Sequence, residues 1–284
     1  MNNKGQGLRK FLIELRESRK KELDFHSMII SFNGMHGSGK STEIKKLEET
    51  LRARKITVNG RRPSGMVRSD ERRGYMEEIK KTNIENLDRT LELYTKDAVE
   101  AWREQLVPLA QREGIIILDR DPYSSLAYQL IVRESSPRSK EALDLAERLF
   151  AHPITPSDLA IFPTISAKTA LRREVEKYEA HKNDPNVEDI FDPYYIVAYA
   201  MCHNGKLASK NTMRLWWLEA TMNMFREIRR LVPEGFEVNL SGKESNKLNR
   251  SIDDQVSKVY KKFSPVYTPN GNGASNYKAK AATR

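Results

Sequence analysis

The chain has 284 residues, 38% hydrophobic and 31% charged, with a formal net charge of +10, which suits a soluble globule of one large α/β domain or one domain with appendages. No apolar run approaches the roughly 20 residues of a membrane span, and Phe11, Leu12 and Ile13 meet charge too soon to form a signal-peptide core. With Cys202 as the one cysteine, an intramolecular disulfide and a zinc site of paired thiolates are excluded, and a cytoplasmic protein fits.

The positive charge is concentrated at the ends. Residues 1–25 carry a net +3 and residues 264–284 another +3, leaving +4 for the rest. A mildly basic core fits an enzyme that binds phosphates, and nucleic acid is not required to explain it. In chain order, Leu8, Phe11, Leu12 and Leu15 recur at helical spacing and predict an amphipathic helix over 7–24, part of an N-terminal extension (1–25) outside the main fold. Its apolar face has two readings, packing on its own domain or contact with a partner. Ser27–Phe32 reads as a buried strand, and Thr42–Arg54 as a helix with Ile44, Leu47 and Leu51 on one face.

Between them lies Gly34-Met35-His36-Gly37-Ser38-Gly39-Lys40-Ser41, which fits G-x-x-x-x-G-K-[ST] at every fixed position. A glycine-rich turn at a helix N-terminus can wrap its amides around a polyphosphate. The pattern assigns Gly34, His36, Gly37, Ser38, Gly39, Lys40, Ser41 and Thr42 to ATP, with Lys40 on the β/γ-phosphates and Ser41 on Mg²⁺. A short strand near Ile56–Val58 follows, then helical stretches over about 69–86 and 86–112. Gly114–Leu118 is a β-branched strand ending at Asp119, where a P-loop enzyme places a metal-holding acid, and Arg120 beside it is suited to a transferred or accepting phosphate. Asp158–Phe162 reads as a strand, Ala167–Tyr178, Tyr194–Cys202 and Thr212–Leu231 as helices, and Phe236–Leu240 as the last strand. The polar run 179–192 reads as a solvated lid loop in preference to a metal cluster, since no ligand spacing supports the latter. Trp216 and Trp217 read as a core or dimer face. From Ser264 onward, Pro, Gly, Asn and Ser predict disorder. Alternating elements with short, continuously apolar strands predict a three-layer α/β fold, a parallel sheet of about five strands covered by helices on both faces. Strand order does not follow from the pattern.

Several motifs in order resemble the thymidylate kinase family. Phe32–Thr42 is similar to F-E-G-x-D-G-x-G-K-[ST]-T, and Arg61-Arg62-Pro63-Ser64-Gly65 to the R-E-P-G that follows the second strand. Asp119-Arg120-Asp121-Pro122-Tyr123-Ser124-Ser125-Leu126-Ala127-Tyr128-Gln129 resembles D-R-Y-x-x-S-S-x-A-Y-Q with one residue inserted or shifted. Pro156-Ser157-Asp158-Leu159 resembles the P-D-L before the fourth strand, and Ala170-Leu171-Arg172-Arg173 the A-L-x-R that opens the lid. The resemblance spans about residues 27–262. It implies a P-loop kinase domain over 26–263 with a lid near 168–195, a homodimer, and Mg²⁺-dependent transfer from ATP to a nucleoside monophosphate, dTMP or a relative. It also implies that Lys40, Asp119, Arg120, Arg172 and Arg173 act in transfer, with Lys177 a further lid cation. Ser41 and Asp119 would hold the metal, while Arg61, Tyr94, Arg120, Tyr128 and Gln129 would line the acceptor site.

The acceptor half departs from the pattern. His36 replaces an acid associated with the acceptor sugar, Asn33 and Arg62 replace glutamates, and Ala98 falls where the family has an acceptor-phosphate arginine. Two alternatives therefore stay open: a P-loop kinase acting on a nucleoside or another acceptor, and an ATP-binding module associated with nucleic acid.

Overall fold

The computed structural model describes residues 6–54, 57–63, 70–71, 74, 77–78, 86–181, 193–240 and 245–263. Five parallel strands form one sheet in the order β2-β3-β1-β4-β5: β1 (Ser27–Phe32), β2 (Val58–Pro63), β3 (Gly114–Asp119), β4 (Leu159–Thr164) and β5 (Gly235–Asn239). The helices are α1 (Gln6–Glu22), α2 (Lys40–Ala53), α3 (Leu87–Ala101), α4 (Pro122–Val132), α5 (Lys140–Leu149), α6 (Ala167–His181), α7 (Pro193–Cys202), α8 (Lys210–Arg229) and α9 (Ser245–Phe263). Asn86 caps α3 by accepting from the Arg89 amide. The helix then runs through a π turn, Trp102–Leu106, into Val107–Ala110. Pro108 has no N–H to give the turn before it, and the widened turn takes up that break.

The inner strands β1, β3 and β4 are mostly apolar because both sheet faces are covered. Ile29, Ile116, Leu118, Ala160 and Phe162 point into a core with α1, α3, α4, α5 and α8. Their alternate neighbours Met28, Ile30, Phe32, Ile115 and Ile117 point the other way, against α2 and α9. The sequence pattern assigns no element to the residues of α9. Connections from the adjacent strands β1 and β4 diverge, toward β2 and β5. That divergence opens a crevice at their carboxyl ends, the place where open α/β sheets bind ligands.

Two expectations change. The second strand does not lie near 56–58; it begins at Val58 and carries Arg61, Arg62 and Pro63 within it. Proline is tolerated there because β2 is an edge strand and Pro63 is its last residue. The N-terminal helix is not peripheral either: Leu8 and Leu12 are buried in the main core, with Phe11 and Leu15 packed against it.

A buried ion pair ties α1 to the base of the sheet. Lys20 Nζ reaches Asp158 Oδ2, which also accepts from the Ile29 amide at 2.8 Å. Burial pushes the Asp158 carboxyl up and the Lys20 ammonium down, and in each the attraction of the partner only partly offsets it. Such a pair is costly to break because one charge is left alone. Lys20→Met should therefore lose about 3 kcal/mol in urea unfolding. An acid with a raised folded-state pKa binds protons more readily folded than unfolded, so protonation favours the fold. The loss should accordingly be smaller at pH 5 than at pH 8.

Candidate functional site

The crevice is floored by the loop between β1 and α2. Gly37 and Gly39 have φ of 68° and 90°, the left-handed region open to glycine at no steric cost. A Cβ at Gly37 would stand 2.5 Å from the Ala170 carbonyl oxygen, so glycine also lets α6 sit directly on the loop. Met35, Ile165, Ala167, Ala170 and Leu218 close a small apolar cluster under that contact. Lys40 opens α2 and is buried; its ammonium turns back across the loop to the carbonyl oxygens of Gly34 and Met35, each at 3.0 Å. Burial, then the charge of Arg120, pushes its pKa well below 10.5, while Asp119 and Glu174 pull the other way. An anion in the loop would add to the counter-charge of Asp119 and Glu174. Among the described residues the buried Ser38 hydroxyl has no hydrogen-bond partner, whereas Ser41 and Thr42 are exposed on the first turn of α2.

Asp119 ends β3 directly beside Phe32, the last residue of β1. Arg120 continues the ladder for one more bond, its amide donating to the Phe32 carbonyl at 3.0 Å, and holds φ at 75°. For a non-glycine residue that conformation is strained. Its guanidinium donates to the Tyr128 hydroxyl at 2.6 Å and lies 5.7 Å from the ring centroid. Trp217 and Phe225 back that ring at 5.3 and 6.3 Å, so Trp217 supports the site from behind. Tyr94 on α3 is near enough to act on Tyr128 electrostatically.

Counting from Asp119, Ser124, Ser125, Tyr128 and Gln129 fall at the motif's own spacing with no insertion; Asp121 stands where the motif has tyrosine. Asp121 is the N-cap of α4, accepting from the Tyr123 amide at 2.9 Å and from the Ser157 hydroxyl at 2.8 Å. Asn33 joins the same network: its Oδ1 accepts from the Asp121 amide and the Ser124 hydroxyl, and its Nδ2 donates to Ser31. Burial pushes the Asp121 carboxyl up to about 6, although these bonds pull it down. Asn33 therefore fastens β1 to α4. The sequence pattern gives no role to Ser31, Asp121 or Ser157; of the three, only Asp121 lies within the motif that runs unbroken from Asp119 to Gln129.

Of the expected lid cations, Arg173 and Lys177 face the loop. Arg173 Nη1 lies 3.6 Å from where a Cβ on Gly39 would be, and the charge of Lys177 reaches His36. Arg172 does not join them; its side chain is 70% exposed and pairs with Glu176. On a helix, consecutive residues stand 100° apart, so only one of the two arginines can face the loop. Gln129 is buried and its side-chain oxygen accepts from Arg133. Ala98 packs against the main core. Arg61 lies on β2 in register with Ile117, two residues short of Asp119. His36 is exposed at the mouth of the site. Desolvation by the surrounding walls, then the charges of Arg120, Lys40, Arg214 and Lys177, hold its pKa well below 6.5 despite that open edge. The position that carries an acid in the resembled motif thus carries a neutral imidazole at pH 7.

The polar run's residues 182–192 and the segment 264–284 lie outside the described residues. A surface hollow of about 380 Å³ between α4, α7 and α8 lies away from the loop, with Trp216, His203 and Cys202 among its lining residues. Among the described residues, no helix is long and apolar enough to cross a membrane.

Residues 32–212 match the family model described as thymidylate kinase. Among curated proteins, the chain is similar to a thymidylate kinase of Mycoplasma mobile, 29% identical over 64% of this chain and 87% of that protein. A thymidylate kinase of Acholeplasma laidlawii is 30% identical over 55% of this chain and 74% of its own length. One of Chlorobium phaeobacteroides is 33% identical over a shorter stretch, 36% and 46% respectively.

Proposed function

The chain belongs to the thymidylate kinase family, and we propose that it transfers the γ-phosphoryl group of ATP to a nucleoside monophosphate, dTMP or a close relative, at the crevice above β1. The observation that carries this reading is the convergence of three elements on one point: Lys40 in the glycine-rich loop, Asp119-Arg120 at the adjoining strand end, and Arg173 on the helix seated on the loop. In such a reaction the protein makes no covalent bond; it aligns two anions and spreads positive charge over the moving group. Loop amides and Lys40 would grip the donor phosphates, Arg173 would cover them from α6, and Arg120, fixed on Tyr128, would meet the acceptor phosphate.

Mg²⁺ belongs to this proposal. The Asp119 carboxylate and the Ser41 hydroxyl offer hard oxygen ligands at the donor end. Among the described residues, no group of three or more His, Cys, Asp or Glu could hold a metal. A carboxylate and a hydroxyl suit an ion that takes its remaining ligands from phosphates and water, as Mg²⁺ does. Bound there, it would neutralise charge developing on the β- and γ-oxygens.

The acceptor side is where the chain has diverged. Neutral His36 and core-packed Ala98 replace an acid and an arginine of the resembled motifs. The test is ³¹P NMR of the protein with Mg-ATP and, one at a time, dTMP, dUMP, the other common nucleoside monophosphates and the matching nucleosides. Formation of ADP with dTDP is expected. Transfer only to a nucleoside would move the acceptor class, and no transfer to any of them would overturn the reading.

A further inference from the structure

What indexes α6 on the phosphate loop is a buried ion pair. Arg214, in the first turns of α8, donates to Glu174 of α6 through Nε at 3.0 Å and Nη2 at 2.9 Å, a parallel fork on one carboxylate. Both side chains are under 10% exposed. The Arg214 guanidinium also lies 5.1 Å from the Tyr195 ring centroid, so α7 holds it as well. Glu174 stands one turn beyond Ala170, whose carbonyl presses on Gly37, and next to Arg173, which reaches Gly39. The field of Glu174 reaches Lys40, and that of Arg214 reaches His36 and Tyr128. The pair thus lies between the donor and acceptor sides.

From this geometry we infer that Glu174 and Arg214 are positioning residues for phosphoryl transfer: their fork sets the register of α6, and so aims Arg173 at the donor phosphates. The inference rests on the kinase reading above. Apolar side chains could fill the same space, often at no loss of stability, but without directional bonds they would leave the helix free to slide. A displacement of about 1 Å at such a site costs on the order of 100-fold in rate.

The experiment is the double variant E174M/R214M beside E174Q, each measured for melting temperature, for affinity toward a fluorescent ATP analogue, and for kcat and KM with each substrate. The double variant should melt close to the unaltered chain. Its kcat should fall about 10- to 100-fold and its KM for ATP should rise, with the acceptor KM little changed. Amide hydrogen exchange in α6 around Ala170 should be faster in both variants. A double variant with unaltered kcat, KM for ATP and exchange overturns the inference and leaves the pair a purely structural contact. Should the double variant not fold, E174Q decides by the same readouts, since it keeps the shape and removes the charge. Nucleotide-analogue affinity and α6 exchange need no turnover. An unaltered chain that transfers to no acceptor would therefore overturn the kinase reading while those two measurements still decide the role of the pair.

Discussion

Replacing Lys40 by alanine should slow phosphoryl transfer about 1,000-fold or more, the effect expected when a charge aimed at the moving phosphoryl is removed from a water-poor site. The Lys40 ammonium is buried, held by two backbone carbonyls and repelled by Arg120. Its removal should therefore leave the melting temperature of the nucleotide-free chain nearly unchanged. The stabilisation that Mg-ATP confers should fall sharply, since a ligand at 100 times its Kd is worth about 2.7 kcal/mol and a weakened one far less. Scanning calorimetry with and without Mg-ATP, beside single-turnover kinetics, separates the two effects. Near-normal turnover would mean that the loop does not bind the donor.

Replacing Arg120 by alanine should lower kcat about 100- to 1,000-fold while leaving ATP affinity within a few-fold. The split follows from its place. Arg120 is anchored to Tyr128, on the side that the proposed function gives to the acceptor, and Tyr128 is held by Trp217 and Phe225. Alanine at φ 75° keeps the backbone strain of the arginine, so Arg120→Gly serves as the control for strain. Arg120→Lys keeps the charge but loses the planar fork and should recover only part of the rate. Equal loss of ATP affinity and turnover in the alanine variant would place Arg120 on the donor side instead.

Much of this site is written in short stretches of chain. The loop is legible because a turn that wraps phosphate needs glycine at fixed offsets and a lysine at the helix start, and 34–41 meets each need locally. Four of the strands are legible for a similar reason. A strand covered on both faces has no polar alternation, so Met28–Ile30 and Ile115–Leu118 stand out as continuous apolar runs within Ser27–Phe32 and Gly114–Asp119. The second strand was misplaced because Asn59, Gly60, Arg61 and Arg62 lack that signal, and its pairing with β3 is irregular at Val58/Gly60. Strand order was not legible, since neighbours in the sheet are not neighbours in the chain.

The sequence by itself thus determined the α/β class, the glycine-rich turn between β1 and α2, the place of Asp119 and Arg120 at the end of β3 and most element bounds, because each depends on a pattern within one or two turns or one strand. The tertiary structure alone decided that α1 belongs to the core, that Arg173 and not Arg172 faces the loop, and that Asn33 fastens β1 to α4. It also decided which buried polar groups meet. Glu174 and Arg214 lie 40 residues apart, and Ser31 and Ser157 lie 126 apart. No local period encodes a partner at such distance. The match is made when helices dock on the sheet and each buried polar group must find another or forfeit its hydration.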